Sequence, residues 1–157
     1  MALQQELGLK KAIRVLEHEA ILNIYYTASQ VKKLADGFFR QFGLTDVQFN
    51  VMMLLHYHAS PKQGLTQAQL SDMMLVNRAN ITSLIDRMEK AELVCRTTLN
   101  SDRRFNIVKL TARGKKLFAK VEPLYAKLIK DLMTPAKESE QRELIEILEK
   151  IRGKMNK

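Results

Sequence analysis

Between Asn77 and Lys90, side chains with hydrogen-bonding chemistry and side chains without it separate onto two faces of one predicted helix. At about 100° per residue, Ile81, Leu84, Ile85 and Met88 fall together at spacings i, i+3, i+4 and i+7, a stripe that must pack inward. The opposite face carries Ala79, Thr82, Ser83, Asp86 and Lys90, flanked by Arg78, Asn80 and Arg87. That set suits a nucleic-acid duplex. Asn80 can pair bidentately with adenine, the Thr82 methyl can meet thymine, and Arg78 can reach guanine or a phosphate. The small side chains of Ala79 and Ser83 let a backbone come close to base edges. Asn77 is a strong N-cap type, and the positive end of the helix that it starts attracts phosphate. Taken alone, such a face is more often an ordinary solvated helix surface, so the neighbouring charge decides.

That charge is local. From residue 96 to 120 the basic residues are Arg96, Arg103, Arg104, Lys109, Arg113, Lys115, Lys116 and Lys120, against Asp102 alone, so +7 of the net +9 lies there. The whole chain holds 26 Lys and Arg against 17 Asp and Glu, and a basic balance without a membrane anchor most often meets a polyanion. A solubility charge with no partner is the alternative, and it accounts less well for charge gathered in one segment. Arg103 and Arg104 fall in a predicted turn between strand-like runs at 94–98 and 105–110, with Asn100, Ser101 and Asp102 as turn formers. A cationic loop on a two-stranded arm fits a narrow minor groove. Asp102 can also pair with one arginine across the turn, an exposed contact worth at most about 1 kcal/mol. The two readings are compatible.

The elements that position these groups are marked by caps and periodicity. Ile21, Ile24, Ala28, Val31, Ala35 and Phe38 recur at steps of three and four and predict one long helix over 9–40 that stops at Gly43. Thr45 with Gln48 is a capping-box pattern opening a helix that runs to about residue 59 and is apolar on most faces. Thr66 with Gln69 opens another, with Leu70, Met73 and Met74 as its buried stripe. A tight connection through Leu75 and Val76 then leads to Asn77, which makes the pair a helix-turn-helix. After the hairpin, Thr111 caps a helix carrying Leu117, Val121, Leu124, Leu128 and Leu132, which Pro135 ends. The last helix, 136–154, carries Leu144, Leu148, Ile151 and Met155 on one stripe. The prediction is a mainly α chain of six helices with a small β-hairpin wing.

Composition excludes several classes. Hydrophobic residues at 46% and charged residues at 27% place the chain with folded globular proteins. No secretory signal is expected, and the most apolar run, 51–55, is too short to span a bilayer, so no membrane role is expected. Cys95 is the single cysteine, which fits a reducing cytoplasm. His56 and His58 are two apart on a helix and point to different faces, and His18 is the only other histidine, so no metal site is expected. Neither a nucleophile–base constellation nor a phosphate loop appears, which argues against an enzyme and against a cofactor.

The runs Leu93-Val94-Cys95-Arg96, Ser101-Asp102-Arg103-Arg104 and Val108-Lys109-Leu110-Thr111-Ala112-Arg113-Gly114 resemble the wing of the MarR family of transcriptional regulators. Residues 65–70 and 81–89 are similar to its two helix-turn-helix helices, and Leu44-Thr45 with Gln48-Phe49 to the start of its second helix. The resemblance implies a winged helix-turn-helix fold in an intertwined homodimer, one domain in which 1–43 and 116–157 dimerise and 44–115 bind double-stranded DNA. It implies a regulator, most readily a repressor, on a palindromic operator. Arg104 takes the position of the wing arginine that enters the minor groove, with Asp102 as its partner, and Thr66, Gln67 and Lys90 are the backbone-contact positions. The sequence departs from the family pattern at Asn77, often Ser or Thr, and at Ser83, often Arg, so base preference at 83 does not transfer. Many relatives release DNA on binding a small aromatic or phenolic effector. Tyr25, Phe49, Met52, Met53 and His56 are the candidates for such a pocket, although each singly reads more readily as core. The family's redox members carry a cysteine near the N-terminus, unlike Cys95 in a predicted strand, where a small hydrophobe is the plain reading.

Overall fold

A computed structural model describes residues 3–58, 64–74, 78–99 and 102–155. Among these are seven helices and three strands, in the order α1 (Leu3–Glu6), α2 (Leu16–Arg40), α3 (Asp46–Tyr57), β1 (Leu65–Thr66), α4 (Gln67–Met74), α5 (Arg78–Lys90), β2 (Val94–Leu99), β3 (Asp102–Leu110), α6 (Ala112–Leu132) and α7 (Glu138–Met155). The chain forms two compact units, 1–114 and 115–157. The mainly α class with a small wing stands. Two details differ from expectation. The long first helix starts at Leu16 rather than near residue 9, and the short α1 ends before Gly8, which has φ +64°. Glu17 and Glu19 in the first turn of α2 suit the positive helix end, whereas Lys10, Lys11 and Arg14 do not.

The three strands make one antiparallel sheet in the order β1-β3-β2. Val94 pairs with Leu110, Arg96 with Val108 and Leu99 with Asp102, with an irregularity between Thr98 and Leu99. The ladder takes in Leu99 and 102–104, where a turn is expected from the sequence. Polar residues join a strand when backbone pairing rather than a buried face holds it. β1 was not expected: Leu65 faces Val108 and Thr66 faces Ile107, a pairing too short to leave a period in the sequence.

The core of the first unit gathers around α3 and α5. Phe39 of α2 stacks on Phe49 of α3 at 4.5 Å, and Val51, Met52 and Leu55 are buried beside them. Ile81, Leu84, Ile85 and Met88 line the buried side of α5; Val94, Val108 and Leu110 share one face of the sheet and are buried, as are Ile107 on its other face and Leu93 just before β2. Apolar side chains of that size contribute about 1.5–3 kcal/mol each on full burial, which fixes the inward face of α5 firmly. Gly114 closes the unit. A Cβ there would lie 2.0 Å from the carbonyl oxygen of Leu93, so only glycine lets the start of α6 approach the sheet.

In the second unit α6 buries Phe118 and Val121, while Leu124 and Leu132 are exposed. α7 buries none of its described residues, although Leu144, Ile145 and Ile147 line it. No helix among the described residues is long and apolar enough to cross a membrane.

Candidate nucleic-acid interface

The interface is assembled from the bottom by two capping boxes. At α3 the Thr45 amide donates to Gln48 Oε1 at 2.9 Å and the Gln48 amide donates to Thr45 Oγ1 at 3.2 Å. At α4 the Thr66 amide donates to Gln69 Oε1 at 2.9 Å and the Gln69 amide to Thr66 Oγ1 at 3.1 Å. Each box satisfies orphan donors at a helix start and is worth about 1 kcal/mol. The first fixes where α3 begins and the second where α4 begins, and α4 packs against α5. Thr111 performs a similar service for α6, accepting from the Gly114 amide at 2.9 Å while its hydroxyl donates to the carbonyl of Glu92.

With its apolar side buried, α5 has only one face to offer. Ala79, Asn80, Thr82, Ser83, Asp86, Arg87 and Lys90 are all exposed, opposite the buried stripe. Arg78 is the first residue of the helix, and Asn77 lies outside the described residues. On α4, Gln67 is half-buried at the first position, with Thr66 next to it in β1. Asp102, Arg103 and Arg104 begin β3, and Ser101 lies outside the described residues. The helix-turn-helix residues and the hairpin thus belong to one unit.

The sequence missed one group at the centre of this surface. Arg96, counted there among the free cations, is a structural cation. Its Nη2 meets Asp86 Oδ1 at 2.6 Å and its Nη1 meets Glu89 Oε2 at 2.7 Å. Its own backbone amide donates to Glu89 Oε1 at 3.0 Å. A guanidinium only donates, so the Gln67 amide turns its oxygen to Arg96, accepting from Nη2 at 2.8 Å and Nε at 3.0 Å. The Gln67 nitrogen then donates to Thr82 Oγ1 at 3.3 Å. One side chain of β2 therefore touches both helices of the pair. The signal available was Asp86 and Glu89 at i, i+3, two carboxylates on one helix face that call for a shared cation.

The effector candidates differ in exposure. Phe49 and Met52 are core side chains, whereas Tyr25, Met53 and His56 are exposed, with the His56 ring edge-on to Tyr57 at 4.9 Å. Cys95 is half-buried in β2. Among the described residues no group of three His, Cys, Asp or Glu is placed to hold a metal.

Comparison with known proteins settles the class. The model of the MarR family matches residues 44–105, from the end of the α2–α3 turn to the start of β3. Residues 44–105 thus form a MarR-family domain. The transcriptional regulator PecS of Dickeya dadantii is 24% identical over 77% of the chain and 72% of its own length. MhqR of Bacillus subtilis is 29% identical over 69% and 72%. In fold, the MarR regulator AbsC of Streptomyces coelicolor superposes with a TM-score of 0.79 at 20% identity, covering 93% of this chain and 99% of AbsC. Staphylococcus aureus MepR, solved as a complex with DNA, gives 0.77 at 22% identity, covering 85% and 96%. MarR proteins are transcriptional regulators and not enzymes.

Proposed function

We propose that this protein is a sequence-specific regulator that binds double-stranded DNA as a homodimer on a palindromic operator and represses transcription there. One observation carries the reading. The outer face of α5, with Asn80, Thr82 and Ser83, is exposed while its inner face is buried in the same unit as a hairpin whose strand begins Asp102-Arg103-Arg104. Such a lobe offers base readout and phosphate attraction together. The MepR lobe, alike in fold, was solved with DNA. In this reading Asn77, Arg78, Ala79, Asn80, Thr82, Ser83, Asp86 and Arg87 lie over the major groove, Arg103 and Arg104 approach the minor groove beside Asp102, and Thr66, Gln67 and Lys90 meet the backbone.

A homodimer explains the apolar exposure of the last helix. Leu144, Ile145 and Ile147 are 46%, 55% and 45% exposed in the single chain, apolar surface that a second copy would cover. Residues 1–43 and 116–157 would form that dimerisation part and 44–115 the DNA-binding lobe of one domain. A dimer occupying a promoter excludes polymerase by volume, hence repression. Its place is the cytoplasm, with the DNA. A small aromatic or phenolic effector acting near Tyr25, Phe49, Met52, Met53 and His56 would release the duplex.

The test is a mobility shift on the DNA upstream of the chain's own coding sequence, followed by footprinting. A two-fold symmetric footprint at moderate salt supports the reading. A protein that leaves every duplex free and instead pairs with an acidic protein refutes it. A thermal-shift screen of aromatic acids tests the effector, since a ligand at 100 times its Kd stabilises by about 2.7 kcal/mol.

A further inference from the structure

Arg96 is paired within the lobe, which has a consequence for recognition. Its guanidinium is shared by Asp86 and Glu89 of α5 and by the oxygen of Gln67 at the start of α4. The Arg96 side chain is only 20% exposed, whereas Asp86 and Glu89 are 50% and 40% exposed. It has little surface left for a phosphate. What it does instead is fix a polarity. A glutamine amide has one end that donates and one that accepts, and an unrestrained one can turn either way. With the oxygen held by Arg96, the nitrogen of Gln67 is turned to the Thr82 side, where it donates to Thr82 Oγ1. A phosphate oxygen requires a donor, and an amide oxygen in that place repels it.

Resting on the DNA-binding reading above, we propose that Arg96 is a positioning residue that sets the Gln67 amide as a hydrogen-bond donor toward the DNA backbone, without touching DNA itself. At the same time it neutralises carboxylates of the recognition helix that would otherwise repel the duplex. The fork geometry is essential. A guanidinium reaches Asp86, Glu89 and Gln67 in separate directions, and the ammonium of lysine is a single point charge.

The test measures affinity for the upstream duplex across a salt series, with melting temperature as the fold control. Arg96→Lys and Gln67→Ala each weaken binding about tenfold, as expected for hydrogen bonds that involve a charged group. The double variant is no weaker than the poorer single one, because both act through the same amide. The slope of log affinity against log salt stays at the wild-type value for Arg96→Lys, since no phosphate contact of its own is lost. A slope reduced by about one in Arg96→Met, additive single effects, or wild-type affinity in Arg96→Lys overturns the proposal. Should the Arg96 variants not fold, Gln67→Glu keeps an oxygen for Arg96 and removes the donor. It is compared with Gln69→Glu, which adds the same charge and preserves the capping box. Binding falls further for Gln67→Glu than for Gln69→Glu if the polarity matters, and equal losses overturn the idea. Wild-type protein that binds no duplex at all overturns the nucleic-acid reading itself, and this inference with it.

Discussion

Replacing Asn80 and Ile85 by alanine, one at a time, separates the two faces of α5 in a single comparison. Ile85 is fully buried among the core side chains of the first unit, so Ile85→Ala loses its transfer energy and leaves a cavity. For isoleucine the cost is about 2–5 kcal/mol. In a chain of this size each kcal/mol lowers Tm by about 2–4 °C, giving a fall of roughly 10 °C. Asn80 is exposed, and its replacement shifts stability by no more than about 0.5 kcal/mol, or about 2 °C. Its loss should instead appear in DNA discrimination. A bidentate contact to adenine is worth about 1–3 kcal/mol, so preference for the operator over a variant site drops about 5- to 150-fold. Differential scanning fluorimetry reads the first effect, and fluorescence anisotropy with paired duplexes reads the second. The reasoning is refuted if Asn80→Ala melts as early as Ile85→Ala. It is also refuted if Asn80→Ala loses affinity equally on every sequence.

Three further outcomes follow from the same geometry. Gly114→Ala brings a Cβ to 2.0 Å from the Leu93 carbonyl, backbone that cannot rotate away, so it destabilises by about 1–3 kcal/mol or more, read by chemical denaturation. Arg104→Ala weakens binding to all duplexes alike and lowers the salt slope by about one, whereas an unchanged slope would remove Arg104 from the phosphate contacts. Leu144→Glu, placed on the exposed apolar surface of α7, converts a dimer to monomer by light scattering at micromolar concentration while leaving the melting of the winged lobe intact.

Much of the lobe was legible because it is written in short-range signals. Thr45–Gln48 and Thr66–Gln69 announce their helices through spacing alone, and both boxes form as read. The stripe of Ile81, Leu84, Ile85 and Met88 fixed which way α5 faces, and hence which residues remain outside. The start of α2 lies later than expected because the apolar seam begins only at Ile21 and leaves the first turn unmarked. The charges of 10–14 oppose the helix dipole, and Val15 provides no side-chain cap. β1 escaped because two residues carry no periodicity, and their partner lies some forty positions along the chain. Arg96 was the costliest omission. Its partners Gln67, Asp86 and Glu89 come from two other elements, so a count of charge along the chain recorded a free cation where the fold had already paired it.

The central claim is that the outer face of α5 and the basic hairpin meet one duplex together, and hydrogen exchange read by mass spectrometry tests it most directly. On adding the upstream duplex, slowed exchange is predicted in peptides covering 78–90 and 94–110, with α7 unchanged. Slowing confined to α7, or to only one of the two lobe segments, would contradict it.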